Sequence, residues 1–235
     1  GLSVGAGVCV AQELGAQQYH EVKKTVHTSV LTALLCGIVV GIAGFFLARP
    51  MLTLMGTEPT VLDEAVPYMR AYFIGAPANM VYNYCAAMLR STGDTTHPLL
   101  FLSVAGVVNV GLNLLMVIAF GLGALGVGIA TAASQWISCV LILLHMMRLD
   151  GHCHLNLREL HIDAVKLRKI VAIGIPAGLQ GVVFSVSNVL IQSSVNSFGK
   201  TTVAANTAAG NLTDYMYISE NSLYHAALTF VGQNI

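Results

Sequence analysis

The chain has 235 residues, no net charge at pH 7, and 9% charged against 55% hydrophobic residues. Soluble domains carry ~25% charged residues, so this composition excludes an ordinary soluble domain and indicates that the bilayer is the solvent. Without an excess of basic residues there is no indication of a nucleic-acid partner, and an odd number of cysteines, 5, argues against a disulfide framework. The chain begins at Gly1 and ends at Ile235 inside apolar stretches, so we expect a fragment of a longer protein.

The longest uncharged stretch lies in the middle of the chain, at 98–147, where there is no Asp, Glu, Lys or Arg. A helix of about 20 apolar residues crosses a hydrocarbon layer that is roughly 30 Å thick. The stretch is broken once, by the glycines of 121–126. It therefore predicts two membrane-spanning helices joined by a tight turn.

The same reasoning predicts seven spans and an all-α integral membrane bundle. Continuous apolar runs favour helices over barrel strands, which would alternate in polarity. Pro77 and Pro176 lie inside the third and sixth spans, where each favours a kink. The predicted spans are Gly1–Leu14, Val26–Ala48, Val66–Leu89, Pro98–Phe120, Ala124–Met147, Leu167–Phe198 and Thr202–Ile235.

The charges between the spans predict the orientation. The connections after the first, third and fifth spans hold eight Lys and Arg residues (Lys23, Lys24, Arg90, Arg148, Arg158, Lys166, Arg168 and Lys169), and the opposite side holds three (Arg49, Arg70 and Lys200). The first set is therefore expected in the cytoplasm, with the protein in the cell membrane. The longest polar connection predicts a first lobe at 1–150, a linker at 151–166 and a second lobe at 167–235.

A weak internal sequence repeat supports two lobes. A shift of the chain by about 221 residues places four residues of the first span on identical residues of the last, and three of them follow a four-residue spacing. This layout predicts two lobes related as parallel repeats, with a substrate site between them near the midplane. The matched pairs are Leu2 with Leu223, Ala6 with Ala227, Val10 with Val231, and Gln12 with Gln233.

Asp214 is the first candidate for an ion site. It lies about 20 Å along the last span from Thr201, at 1.5 Å per residue. A carboxylate at the centre of a span costs ~2.5–3.5 kcal/mol on insertion scales, so it is expected to face a cavity or a partner. A proton or cation site is the functional interpretation. A structural acid bonded to a neighbouring helix, or an acid at the membrane boundary, remains open. Glu220 is a second candidate, nearer the cytoplasm.

Polar side chains on several spans predict a cavity lined by amides and hydroxyls. Hydrogen bonding between helices, worth ~0.6 kcal/mol per bond, is the alternative for each residue. No Lys or Arg lies deep in a span, so the cavity suits cationic or neutral amphipathic molecules rather than phosphates. The predicted ion- and substrate-binding residues are Asp214, Glu220, Asn188, Gln192, Asn109, Asn113, Tyr82 and Tyr217.

We predict no metal site, no catalytic residues and no cofactor other than the coupling ion. The group of His152, Cys153, His154 and His161 matches no standard zinc spacing. The sequence contains no nucleophile elbow, zinc-protease helix or P-loop. The chain is therefore expected not to be an enzyme.

A series of motifs, taken in order, resembles the multidrug and toxic compound extrusion (MATE) family. The resemblance implies a piece from the second to the eighth helix of a twelve-helix antiporter, a monomer of the plasma membrane that exports cationic or amphipathic drugs and toxins in exchange for H⁺ or Na⁺. The segments that carry it are Val10–Gln12 with Gly15-Ala16, Asn83–Pro98, Asn109–Asn113, Gly121–Thr131, Gly174–Pro176 and Val231–Gln233.

Two departures from the family pattern concern the ion site. Asn113 stands at the position where one branch has an Asp, and the sixth span has no carboxylate where another branch has a Glu. A flippase for lipid-linked glycans, with a related two-lobe fold, is the nearest alternative. An intramembrane enzyme using Asp214, Glu220 or His225 as acid and base, and a passive channel, are further alternatives.

Overall fold

A computed structural model of the chain describes residues 1–54, 59–149, 151, 153–196 and 200–234. Every regular element in these ranges is helical. Leu115–Ala119 extends α5 as a π-helical turn, and Leu157–Glu159 forms a 3₁₀ turn. The α-helices are α1 (Leu2–Gly15), α2 (Tyr19–Leu54), α3 (Pro59–Ile74), α4 (Ala76–Ser91), α5 (Thr96–Leu114), α6 (Gly123–Arg148), α7 (Ala164–Asn196) and α8 (Lys200–Asn234).

The predicted helical membrane bundle is confirmed. Within the described residues, four helical segments are long and apolar enough to cross a membrane, and α1 is a shorter apolar helix. The apolar run of 98–147 forms two of these segments, separated by the glycine turn as predicted. The four segments are Tyr19–Leu54, Thr96–Ala119, Gly123–Arg148 and Ala164–Asn188.

The third predicted span needs a correction, because it is two helices rather than one. Helices α3 and α4 meet at Gly75, whose amide donates to the Tyr72 carbonyl at 3.0 Å. Pro77 lies in the first turn of α4. Backbone N–H groups in a first turn have no partner within the helix, so the missing N–H of proline costs no helical hydrogen bond. The interruption expected at Pro77 therefore begins just before it. By contrast, α7 continues through Pro176 without a break.

Small residues allow α2 to lie directly against α4 at this interruption. A Cβ placed on Gly37 would lie only 2.5 Å from Pro77 Cα, and one on Gly41 would lie 3.0 Å from the Phe73 oxygen. The backbones thus approach more closely than larger side chains would permit. Helix α4 also packs against α1 and α6, and α5 packs mainly against α6.

The apolar core is concentrated at one end of the bundle, which we call the linker end. It contains the turn after α1, the loop between α4 and α5, and the connection 149–163 between α6 and α7. This connection is folded against the helices, since the amide of Leu155 donates to the Met146 oxygen at 3.0 Å. The largest fully buried side chains here include Tyr84, Met88, Leu89, Ile142, Met146, Leu155 and Ile170.

Helix α1 joins the first six helices to α7 and α8. A Cβ on Gly174 of α7 would lie 2.7 Å from Leu2 Cα, and one on Gly232 of α8 would lie 3.0 Å from Ala11 Cβ. Gly5 is likewise so close to the Ile170 carbonyl that a side chain there would collide with it. These contacts between small residues bring α1 against both of the last two helices.

Candidate functional site

A cavity of about 600 Å³ lies near the linker end, where α1 and α4 face α8. Its volume is within the range of small-molecule sites, ~300–1,000 Å³. Gly7 and Ala11 of α1 form part of one wall, and Ala87 of α4 forms part of another. The polar lining comes from α4 and α8 and includes Arg90, Ser91, Ser222, His225, Thr229 and Gln233.

The described lining of the cavity carries basic groups. Arg90 of α4 and His225 of α8 both belong to it, whereas none of the lining residues that the structure describes is an Asp or a Glu. The Gln233 side chain donates to the Ser91 carbonyl at 2.6 Å and thereby connects α8 with α4. The lining therefore suits a neutral or anionic group, which differs from the cation-binding cavity expected from the sequence.

A buried ion pair joins α1 and α7 at the linker end. Lys166 Nζ lies 2.7 Å from Glu13 Oε1 and 2.7 Å from Glu21 Oε2. Lys166 is 5% exposed and Glu13 is 6% exposed, so both charges are largely removed from water. Glu13 also accepts a hydrogen bond from Thr25 at 2.7 Å. The cluster is well satisfied and holds the start of α7 against α1 and α2.

This ion pair was not predicted from the sequence, although one of its two residues, Glu13, is unusual for its position. Glu13 is the only charged residue among the first twenty, inside an apolar span, and such a residue is expected to have a partner. Its partner is 153 residues away along the chain. No periodicity or spacing connects the two, so only the fold reveals Lys166 as that partner.

Two of the predicted site residues bond to each other and to a neighbouring helix. Asn109 of α5 donates to Ser134 Oγ of α6 at 3.2 Å, and Asn113 donates to Asn109 Oδ1 at 3.0 Å. These bonds match the alternative interpretation, in which amides connect helices. However, Asn113 Oδ1 is buried without a described hydrogen-bond partner, as is Gln135 Oε1 on α6. Two carbonyl oxygens thus remain available to a donor or a cation.

Tyr82 also has a structural role. Its side chain is 7% exposed, and its hydroxyl donates to the Pro98 carbonyl at 2.7 Å. That carbonyl is in the first turn of α5, so the bond joins α4 to the start of the next helix. The hydroxyl is already engaged and is not directed into the cavity lined by Arg90 and His225.

Three predicted residues of α7 and α8 have described side chains, and these three do not line the cavity. Asn188 and Glu220 are exposed, and Tyr217 is 59% exposed. The side chains of Asp214 and Gln192 lie outside the described part of the structure. None of the six predicted residues whose side chains are described is among those that line the cavity. Their role in binding an ion or a substrate stays a prediction.

Known proteins share both the sequence pattern and the fold. The MatE family profile matches residues 1–115. The chain is 30% identical over 213 residues to the probable multidrug resistance protein YpnP of Bacillus subtilis, covering 89% of this chain and 47% of that protein. It is 26% identical over 244 residues to the FAD transporter of Shewanella oneidensis, covering 100% of this chain and 53% of that protein.

A solved structure has the same arrangement of helices. It is the outward-facing conformation of a multidrug resistance MATE family transporter of the MOP superfamily, with a TM-score of 0.82 and 21% identity. The match covers 99% of this chain and 50% of that chain. The chain thus spans about half the length of the proteins it matches.

Together, the apolar helices, the packing of α1 on α7 and α8, and these matches define a multi-pass helical protein of the plasma membrane. More particularly, the chain resembles the MATE family, whose profile matches residues 1–115. The family resemblance noted in the sequence is confirmed, and the matches to about half of each relative agree with the expectation of a piece of a longer protein.

Proposed function

We propose that the whole protein is a secondary active antiporter that exports cationic or amphipathic small molecules in exchange for H⁺ or Na⁺. The observation that carries this proposal is the contact of α1 with α7 and α8 at the linker end, directly beside a cavity of about 600 Å³. Surfaces that pack through small residues and a single ion-pair cluster can separate and close again as rigid units. A relative named as a multidrug resistance protein supports drugs as the substrate class.

The two rigid units are residues 1–150 and 167–235, with the rest of the second lobe supplied by the longer protein. The Lys and Arg distribution places the linker end in the cytoplasm. In the arrangement described, Lys166, the last residue of the linker and part of the first turn of α7, ties the start of the second lobe to Glu13 of the first lobe on that side. Export then requires this contact to open so that a substrate can enter from the cytoplasm, and to close again before release outside.

In this mechanism the coupling ion and the substrate compete for overlapping polar groups. Asp214 is the acidic residue that binds the ion or the cationic substrate, and Asn188, Gln192, Tyr217 and Glu220 contribute along α7 and α8. Because binding of one ligand lowers the affinity for the other, the coupling is reciprocal. Asn113 Oδ1 is buried without a described hydrogen-bond partner. This supports a further acceptor for the ion or the substrate in the first lobe.

Transport by the full-length protein in proteoliposomes tests the proposal. Vesicles are loaded with ethidium as a cationic probe, and an H⁺ or Na⁺ gradient is imposed across the membrane. We expect ethidium to move against its own gradient when one ion gradient is present, and to stop when an ionophore dissipates it. Flux that is indifferent to both ion gradients would reject ion coupling, and downhill flux alone would indicate a passive channel.

A second candidate function, transport of anionic nucleotides, is supported by a separate observation. Among the described residues, the cavity lining contains Arg90 and His225 and no carboxylate, and one relative is named as an FAD transporter. Competition in the same vesicles distinguishes the two candidates. If FAD, rather than ethidium, is moved, and if Arg90→Gln abolishes that transport, the anionic substrate class is correct. Neither relative is named as a glycan flippase or as an enzyme, so the comparisons do not favour those alternatives.

A further inference from the structure

Two histidines and one aspartate meet at the linker end, outside the cavity and the ion pair. Asp94 lies in the loop between α4 and α5, His97 is in the first turn of α5, and His145 is near the end of α6. Asp94 Oδ2 is 2.9 Å from His97 Nδ1 and 3.3 Å from His145 Nε2. One ligand atom from each residue can be chosen so that all three lie within 4.8 Å of one another.

These separations are close to those of a metal site. With Zn–N and Zn–O bonds of about 2.0–2.2 Å, the ligand atoms of a tetrahedral zinc ion are separated by roughly 3.3–3.5 Å. The Asp94–His145 distance of 3.3 Å falls at that value, and the Asp94–His97 distance of 2.9 Å requires a movement of a few tenths of an ångström. Imidazole nitrogens together with a carboxylate oxygen are a donor set that Zn²⁺ and related divalent ions bind.

The two imidazole rings lie side by side next to the carboxylate. They are stacked, with centroids 4.1 Å apart and planes inclined by 25°. A nitrogen of each ring also lies within hydrogen-bonding distance of Asp94 Oδ2. The three side chains thus meet at one point between the loop before α5 and the end of α6.

The cluster is accessible from water. The His97 side chain is 47% exposed, and those of Asp94 and His145 are 23% and 19% exposed. A water molecule can therefore complete a fourth coordination position. Asp94 Oδ1 also accepts from the His97 backbone amide at 3.2 Å, which orients the carboxylate while leaving Oδ2 toward the rings. The local loop thus presents the ligand atoms in a constrained geometry.

We propose that Asp94, His97 and His145 form a binding site for a divalent transition-metal ion of the Zn²⁺ type. The ion connects the loop before α5 to the end of α6. These two helices pack against each other, so the bound metal tightens their contact at the linker end. The site is separate from the proposed transport pathway and does not depend on the identity of the substrate.

Direct binding of Co²⁺ and Zn²⁺ to the full-length protein, purified in detergent with any polyhistidine tag removed, tests this site. We expect one Co²⁺ per protein with visible absorption typical of tetrahedral coordination, displaced by Zn²⁺. His97→Asn and His145→Asn should each weaken binding by about 10-fold or more. His20→Asn is the matched control, because His20 is exposed in the first turn of α2 and outside the cluster. It should leave binding unchanged.

Thermal unfolding without metal shows whether each variant is folded. Folded variants that lose Co²⁺ absorption support the site. Should His145→Asn bind Co²⁺ as tightly as the unaltered protein, or should His20→Asn cause the same loss, the assignment is wrong. No Co²⁺ binding by the folded, unaltered protein would also overturn it. Asp94→Asn is a further test of Co²⁺ binding. Its amide keeps the size of the carboxylate but loses the charge that the ion needs, so this variant should also bind Co²⁺ more weakly.

Discussion

Lys166 Nζ lies 2.7 Å from Glu13 Oε1, and this contact connects the start of α7 to α1 across 153 residues of sequence. Both residues are almost fully buried. A buried pair is not in itself a large net source of stability, because desolvation offsets the attraction. Removal of one partner, however, leaves the other charge buried and unpaired. The pair is therefore a sensitive point for both stability and the separation of the lobes.

Lys166→Gln is expected to destabilise the protein by about 3–5 kcal/mol, because it leaves Glu13 without its cation. Thermal unfolding of the purified full-length protein measures the effect. Lys169→Gln is the matched control, since Lys169 is exposed on the same helix and should change stability by less than ~0.5 kcal/mol. The double variant Glu13→Gln with Lys166→Gln should recover part of the loss. Equal stabilities of Lys166→Gln and Lys169→Gln would contradict the ion pair.

Tyr82 and Tyr84 provide a matched test of whether Tyr82 is structural. Both are buried on α4, but only the Tyr82 hydroxyl has a described partner, the Pro98 carbonyl. Tyr82→Phe should cost about 1 kcal/mol, and Tyr84→Phe should be neutral or slightly stabilising because it removes an unsatisfied hydroxyl. Export should be retained in both. Loss of export in a stably folded Tyr82→Phe variant would instead make Tyr82 a ligand residue, as the sequence predicted.

Asp163 makes the stability of the linker end depend on pH. Its carboxylate accepts from the backbone amides of Lys166 and Val165 at the start of α7, and these bonds hold the pKa of Asp163 below its ordinary value. A lowered folded-state pKa stabilises the protein above the unfolded pKa, about 3.9, and this stabilisation is lost as pH falls through the folded value.

Asp163→Asn isolates the contribution of this charge. The midpoint of thermal unfolding should fall by a few degrees at pH 7, and the difference from the unaltered protein should shrink below about pH 4. Asp63→Asn, at an exposed position on α3, serves as the control and should show no such convergence. A difference that stays constant from pH 7 to pH 3 would show that Asp163 does not act through its charge.

Asp214→Asn tests the predicted ion site. The amide has nearly the same size but cannot release a proton or supply a negative charge, so we expect ion-driven ethidium export to fall at least 10-fold. Glu64→Gln is the control, because Glu64 is exposed on α3 and outside the predicted site, and it should leave export unchanged. Proteoliposome flux under an imposed gradient measures both. Unchanged export in Asp214→Asn would reject this residue as the coupling acid.

The sequence predicted the spans well because apolar length is a local property. The run 98–147 formed α5 and α6 with their turn. The third span was misjudged, because a hydropathy pattern does not show the interruption at Gly75. The site was harder to predict. Asn109 and Ser134 were seen as separate polar positions, and their hydrogen bond depends on how α5 packs on α6. The Lys166–Glu13 pair and the Asp94–His97–His145 cluster are likewise products of tertiary packing.

The central claim is that α1 must separate from α8 at the linker end during export. A Cβ at position 232 would lie 3.0 Å from that of Ala11, so the two helices need to move apart by about 0.8 Å to reach the ~3.8 Å typical of a disulfide. The decisive measurement is ethidium export by full-length protein carrying Ala11→Cys and Gly232→Cys, with the native cysteines replaced, before and after oxidation. We predict that oxidation abolishes export and that a reductant restores it. Equal export by the oxidised and reduced forms, with the disulfide verified, would contradict the account.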